Sequence, residues 1–299
     1  MIPGTNASRL DASAPPLLDW TFRAMGSDWR IHHGGGVTGA DAQAVADQVD
    51  ADERLWSRFL PGSDVSRVNR AAGSAVGVAP ATAELVALAC DWSARTDGRF
   101  QPLVSAALGR WGYRGGIGDG APPSAPVDAA VPDASAIEMD AAARTIRIPA
   151  GTALDLGGIA KSWAAMRAGR LLGERCDDER LIVDGGGDLA IVRGTHRVET
   201  AAGAVLAAPG TGVATSSSER RRWSLGDGTR AHHLIDARTG APGPRGTAVV
   251  AGTTPVAADV LASCLVLDAD GLDALDAPAA RVGVDGDVRA NAAWAAVRA

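Results

Sequence analysis

Between residues 180 and 254 the chain reads as one short apolar run after another: LIVD, LAIVRG, HRVET, GAVLAA, GVATS, RRWSL, HHLID and AVVAG, each closed by glycine or a polar turn. Strands this short and this closely spaced leave no room for the crossover that parallel neighbours need, so they return antiparallel. A helix over 255–267 (PVAADVLASCLVL) interrupts the series before two terminal strands, RVGVDG and VRANAAW. The second half of the chain is therefore mostly antiparallel sheet, and the class that accommodates it together with upstream helices is α+β.

Upstream, WTFRAM and DWRIHH alternate like two strands joined at Met25-Gly26-Ser27. A helix is expected over 40–57, with Asp41 as its cap and Val45, Val49 and Trp56 on one side. A second fits 82–96, with Thr82 as cap, Leu85, Leu88 and Trp92 on its apolar face, and Gly98 just beyond its end. IEMD and TIRIPA form a hairpin that leads into ALDLGGIAKSWAAMRAGRLL, where a Gly-Gly turn opens a helix with Ile159, Trp163, Met166 and Arg170 on one face. Residues 1–18, with Pro15 and Pro16, read as a flexible arm, and 19–299 as a single domain. The stretch 115–133 is a loop-rich excursion of Gly, Pro, Ala and Asp.

The formal net charge of -6 argues against a nucleic-acid partner, because phosphate backbones need a positive field. No apolar stretch is long enough to insert in a membrane. The first twenty residues hold no basic start with an apolar run and no Cys for a lipid anchor, so the expected location is cytoplasmic. Three widely spaced cysteines, Cys90, Cys176 and Cys264, fit neither a disulfide framework nor a metal knuckle and read as small buried hydrophobes.

Two nucleotide motifs fail. DGGGD (184–188) lacks the G-x-G-x-x-G spacing and runs into a strand pattern, and GGIAKS has Ala160 where a P-loop needs glycine. What GGIAKS does offer is a Gly-Gly turn at a helix N-terminus, whose backbone N–H groups can meet an anion, with Lys161 one turn in. Lys161 is the one lysine among 29 basic residues. Asp155, just before the turn, can cap the helix, accept hydrogen bonds from a ligand, or both. Asp259 and Ser263 stand four apart on the 255–267 helix and offer two oxygens to a hard cation, or serve structure alone. His232 and His233 point to opposite faces of their run, so only one can face a site as a general base. The run Arg220 to Arg222 reads as a solvated edge.

Taken in order, these pieces resemble one family, the ApbE-like FAD:protein FMN transferases. The blocks are Met25-Gly26-Ser27; Glu53 with Ser57-Arg58-Phe59 and Ser63 to Asn69; Asp97-Gly98-Arg99-Phe100-Gln101-Pro102 with Trp111-Gly112-Tyr113; and Asp155 to Lys161. Asp184 to Asp188, Ala214-Thr215-Ser216, His233 to Gly240, and Ala258-Asp259 to Ser263 complete the series. Gln101 stands where the family has an acid and Ser263 where it has a metal-binding threonine. Ser218 lies near an expected Thr-Ser-Gly, the acidic ligand of some members would fall at Ala262, and 194–212 is short.

The resemblance implies an ApbE-like fold with a flavin cleft between two halves. It implies that FAD, as substrate, contacts Met25, Phe59, Arg99, Phe100, Gln101, Asp155, Lys161 and Leu234, and that Mg2+ sits on the Gly158 carbonyl, Asp259 and Ser263. The implied reaction moves FMN from FAD to a Ser or Thr hydroxyl of an acceptor protein through a phosphoester and releases AMP. His233 is the candidate base, with Asp236 orienting it. Two alternatives share the cleft: an FAD pyrophosphatase giving FMN and AMP, and a non-catalytic FAD-binding protein.

Overall fold

The computed structural model describes residues 9–10, 16–115, 120–127 and 129–299. Most of the expected arm over 1–18, and residues 116–119 and 128 of the excursion, lie outside these described residues.

Eight strands build the main sheet: β1 (Leu18–Ala24), β2 (Ser27–His33), β3 (Leu181–Gly185), β4 (Leu189–Arg193), β5 (Gly212–Ser217), β6 (Thr247–Thr253), β7 (Ala279–Val282) and β8 (Val288–Ala290). Neighbours are antiparallel throughout, and their order in space is their order in the chain. The sheet is thus a meander with insertions. The largest, residues 34–180, leaves from β2 and returns at β3, where His33 pairs directly with Leu181. A second, residues 218–246, lies between β5 and β6 and carries two short hairpins, Arg222–Ser224 with Arg230–His232 and Ile235–Asp236 with Ala241–Pro242. A hairpin of His196–Thr200 and Gly203–Ala207 fills the short region 194–212 and pairs with Arg9–Leu10. The expected α+β class with antiparallel sheets and flanking helices is what forms.

The large insertion holds α1 (Gly39–Trp56), α2 (Asp64–Arg70), α3 (Pro80–Arg95), α4 (Ser105–Arg110) and α5 (Ala160–Arg175); α6 (Pro255–Leu267) follows β6. Thr38, not Asp41, caps α1. The Thr38 hydroxyl accepts from Asp41 N while the Asp41 carboxylate accepts from Thr38 N, which places Asp41 at the third helical position of a capping box. Thr82 likewise is no cap: α3 begins at Pro80, whose missing N–H suits a first turn, and the buried Thr82 hydroxyl donates to Asp64 Oδ2 at 2.8 Å. Gly98 does lie just beyond the helix end, at φ +72°, after Asp97, which is itself left-handed at φ +52°. The HHLID run is not one strand; it breaks after His232 and resumes at Ile235.

Helix α5 lies on β3 and β4 and touches α1 and α6. Its buried face is Ala160, Ala164, Ala165, Ala168, Gly169 and Leu172, while Trp163 and Met166 are half-buried and Arg170 is exposed. The expected face of Ile159, Trp163, Met166 and Arg170 is therefore displaced around the helix. Close packing explains it, since a Cβ on Gly169 would lie 2.8 Å from Val192 Cγ2, and only small residues let the axis come this near the sheet. The principal core joins these elements through fully buried Trp29, Ile31, Leu85, Ile146, Leu156 and Leu172. Among the described residues, no helix is long and apolar enough to cross a membrane.

Candidate active site

The insertion 34–180 and the sheet do not close on one another completely. Between them runs a cleft of about 1660 Å³, larger than the ~300–1,000 Å³ usual for small ligands. Met25, Phe59, Arg99, Phe100, Gln101, Asp155, Gly158, Lys161, His233, Leu234, Asp259 and Ser263 all line it. Asp236 does not.

One wall starts at the β1–β2 turn, where Met25 and Gly26 both take positive φ, +49° and +66°. That conformation strains a residue with a side chain. The Glu53 carboxylate on α1 offsets the strain by accepting from Met25 N at 2.7 Å, a role that its place in the motif did not disclose. Beside this turn lies the β3–β4 turn, DGGGD. Asp184 Oδ1 accepts from Gly187 N at 2.6 Å, and Gly186 and Gly187 take φ of +81° and +105°. A Cβ on Gly186 would lie 2.6 Å from Ser27 Cβ, so glycine is what lets the two turns touch.

The Gly-Gly turn before α5 makes the floor. Asp155 does not cap the helix; its Oδ1 accepts from Gly157 N at 2.7 Å and its Oδ2 pairs with Arg58 Nε at 2.7 Å. Ile159 occupies the N-cap and no side chain closes the helix; the Ile159 and Ala160 N–H groups donate to Leu156 O, which leaves those of Lys161 and Ser162 to meet an anionic ligand. Gly158 is exposed to the cleft, and a Cβ there would press within 3.3 Å of Phe100 Cε2. The Arg58 guanidinium lies near two aromatic rings set edge-to-face, 4.3 Å from the Phe59 centroid and 5.1 Å from that of Tyr113. Phe59 remains 48% exposed, an uncovered ring beside a cation.

The opposite wall carries the ionisable groups. Lys161 Nζ stands 4.0 Å from Asp188 Oδ2. Burial, and then the neighbouring Asp259 carboxylate, hold the Asp188 carboxyl above its usual range, with Lys161 opposing. Burial also raises Asp259, against the pull of Lys161 and Ser162. Asp259 Oδ2 is buried with no hydrogen-bond partner, and the Ser263 hydroxyl meets that of Ser216 at 2.8 Å. A buried carboxylate oxygen without a partner, next to a hydroxyl, fits a hard cation that completes its shell with water and substrate phosphate. Among the described residues no three His, Cys, Asp or Glu side chains gather into a metal site on their own, in keeping with so sparse a donor set. Ala262 packs fully buried in the core with Val250 and Leu265, so it offers no place for a further ligand.

His233 sits in the break of the HHLID run, half-buried, its Nδ1 without a partner. Burial first, then Arg221, His232 and Lys161, push its pKa down to about 3. The imidazole is therefore neutral at physiological pH, and the burial and cations that keep it so also make it a weak proton acceptor in the protein alone. His232 turns away to Gly243 O at 2.9 Å. Asp236 is not the orienting partner: its carboxylate is taken by the Arg238 guanidinium at 2.8 and 3.0 Å, and its carbonyl accepts from Gly240 N. The Asp-Ala-Arg-Thr-Gly sequence makes a self-contained turn instead. Nor are all three arginines of the 220–222 run a solvated edge. Arg220 and Arg221 line the cleft, while Arg222 pairs with Glu219. Ser218 is buried and exchanges hydrogen bonds with Gly246, a structural clip. Cys264 also borders the cleft, but burial pushes its thiol up to about 12, so it is no nucleophile.

The sequence profile of the ApbE family matches residues 25–282. An FAD:protein FMN transferase of Klebsiella pneumoniae is 31% identical over 297 residues, covering 88% of this chain and 78% of its own. One of Salmonella typhimurium is 29% identical over 283 residues, covering 84% and 75%. Among solved structures, an ApbE protein of Thermotoga maritima superposes with a TM-score of 0.81 at 22% identity, covering 95% of this chain and 99% of that one. The apo form of the flavinyl transferase ApbE of Pseudomonas stutzeri gives a TM-score of 0.79 at 20% identity, covering 95% and 98%. At such identities the structural likeness speaks for the fold.

Proposed function

The chain belongs to the ApbE family, and from that membership and the donors gathered in its cleft we propose that it transfers FMN from FAD to a Ser or Thr hydroxyl of an acceptor protein. Among the described residues, five buried polar atoms that lack any protein partner belong to side chains lining this one cleft: Trp56 Nε1, Gln101 Oε1, Thr215 Oγ1, His233 Nδ1 and Asp259 Oδ2. This carries the reading, because buried polar groups are paired in native proteins unless a ligand or water completes them.

In the reaction the acceptor hydroxyl oxygen attacks the phosphorus of the FMN half. The new phosphoester bond forms as the bridging P–O bond breaks, and AMP leaves with the bridging oxygen. His233, neutral and unpartnered at Nδ1, takes the hydroxyl proton, its basicity strengthened by the negative charge of the bound pyrophosphate beside it. The uncapped first turn of α5 and Lys161 hold the pyrophosphate, with Arg220 and Arg221 adding positive charge at the rim. Phe59 and Phe100 offer faces for the rings, and Met25 sets the edge that Glu53 holds in place. The Gly158 carbonyl, Asp259 and Ser263 would hold Mg2+, which when bound neutralises charge on the pyrophosphate.

The test is AMP release from FAD with Mg2+, with and without a Ser/Thr peptide whose mass is followed for added FMN. AMP together with modified peptide is expected, and Lys161→Ala and Asp259→Ala should each abolish it. AMP with no modified peptide would make the protein a pyrophosphatase, and bound FAD without AMP a binding protein; unchanged transfer in both variants would remove the assigned roles.

A further inference from the structure

Gln101 is 6% exposed and lines the cleft, yet its two amide atoms are treated differently. Its Nε2 donates to Asp133 Oδ2 at 3.1 Å, while its Oε1 has no partner. A carboxylate only accepts, so the amide nitrogen must face Asp133 and the carbonyl oxygen must point away from it. Asp133 is itself fixed, its Oδ1 accepting from Ser135 N at 2.8 Å at the head of a short 3-10 turn. Those hydrogen bonds, led by Ser135, hold its carboxyl below the usual range and keep it ionised. Gly98 backs the pair: a Cβ there would lie 3.4 Å from Gln101 Nε2 and 3.8 Å from Asp133 Oδ2.

We propose that Asp133 is a positioning residue that locks the Gln101 amide, so that Gln101 Oε1 accepts a hydrogen bond from an N–H on one of the ring systems of the bound dinucleotide. The proposal rests on the FAD reading above. FAD carries two such donors, the imide N–H of the isoalloxazine and the amino N–H of adenine, and either satisfies the chemistry. The acceptor is a neutral amide whose direction is set by a charge behind it. An isolated amide can flip and offer either end, whereas this one cannot turn without setting its oxygen against the Asp133 carboxylate. The site therefore rejects a ring that presents a bare acceptor nitrogen at this point.

Binding of FAD, FMN and AMP to the purified full chain tests this, using wild type, Asp133→Asn, Gln101→Glu and the double variant Gln101→Glu/Asp133→Asn. Asp133→Asn offers the amide a donor and lets it turn, and Gln101→Glu sets two carboxylates together. Each should weaken FAD by about tenfold to a hundredfold, the loss expected of one unmet buried hydrogen bond. In the double variant the pair is exchanged: the amide introduced at position 133 donates to the carboxylate introduced at position 101, whose other oxygen is left to the ligand. Affinity should then return to within about threefold of wild type. A residue that only supported the fold would not be rescued by a second substitution. The single-variant loss should fall on FMN if the flavin supplies the N–H and on AMP if adenine does. Loss on both halves alike, loss on neither, or no rescue overturns the proposal. Wild type that binds none of the three probes overturns the FAD reading as well, whereas tight FAD binding that no variant alters overturns the positioning role alone.

Discussion

His233 combines position and proton affinity in a way that a pH series can read. Its folded pKa lies near 3, against 6.5 for an unperturbed histidine, so between those values the unfolded chain holds a proton that the folded chain does not. Stability present above about pH 6.5 is then lost as pH falls toward 3. His233→Gln should flatten that limb of the pH-stability curve in chemical denaturation. At neutral pH the same variant should lower FMN transfer by about 10²- to 10⁴-fold while FAD affinity changes little. Asp52 works in the opposite sense. Burial raises its carboxyl to about 6 despite Arg167, so the ionised form is disfavoured and stability declines as pH rises from about 4 through 6. Asp52→Asn should therefore raise the melting temperature at pH 8 and leave it nearly unchanged at pH 4. Much of the cleft's lining was legible from residue types, since the isolated lysine after a Gly-Gly turn and the Asp-Ser pair at helical spacing both stand in it. Asp236 misled because its partner, Arg238, is two residues away and the turn satisfies itself. Glu53, Arg58 and Asp133 act on residues far along the chain, which no local pattern records.

At the level of elements, α5 shows where pattern reading loses its grip. Apolar periodicity weighs side chains by size, and this helix buries alanine and glycine because its axis must come close to the sheet. The two glycines on it make a controlled comparison. Gly169→Ala would bring a Cβ to 2.8 Å from Val192, whereas at Gly173 the nearest atom would be 3.7 Å away, an ordinary contact. Thermal or urea unfolding should show Gly169→Ala destabilised by about 1–3 kcal/mol and Gly173→Ala stabilised by up to about 1 kcal/mol, though helix propensity alone ranks them equal. The helices over 64–70 and 105–110 escaped the sequence because seven and six residues are too few to display a period. The 255–267 helix was legible to its ends, with Pro255 at its first position and the Thr254 hydroxyl accepting from Ala257 N.

The main sheet is an antiparallel meander in strand order, and the antiparallel pairing of its second half followed from short strands and tight turns. The return of β3 onto β2 across residues 34–180 did not, because strand pairing over such a distance leaves no mark in either strand. A dinucleotide seated in the cleft bridges insertion and sheet, so binding should stabilise both together. FAD at a hundredfold excess over its dissociation constant should add about 2.7 kcal/mol, a rise of roughly 5 °C or more in melting temperature, and EDTA should shrink it. His33 and Leu181, the last residue before the insertion and the first after it, pair directly across β2 and β3. The insertion is thus a graft with a narrow stem. Its loops away from α5 can lengthen or shorten without disturbing the register of a single strand, whereas α5, packed on β3 and β4, holds Lys161 against the sheet, so the wall around Phe59 is freer to diverge than the floor beneath it.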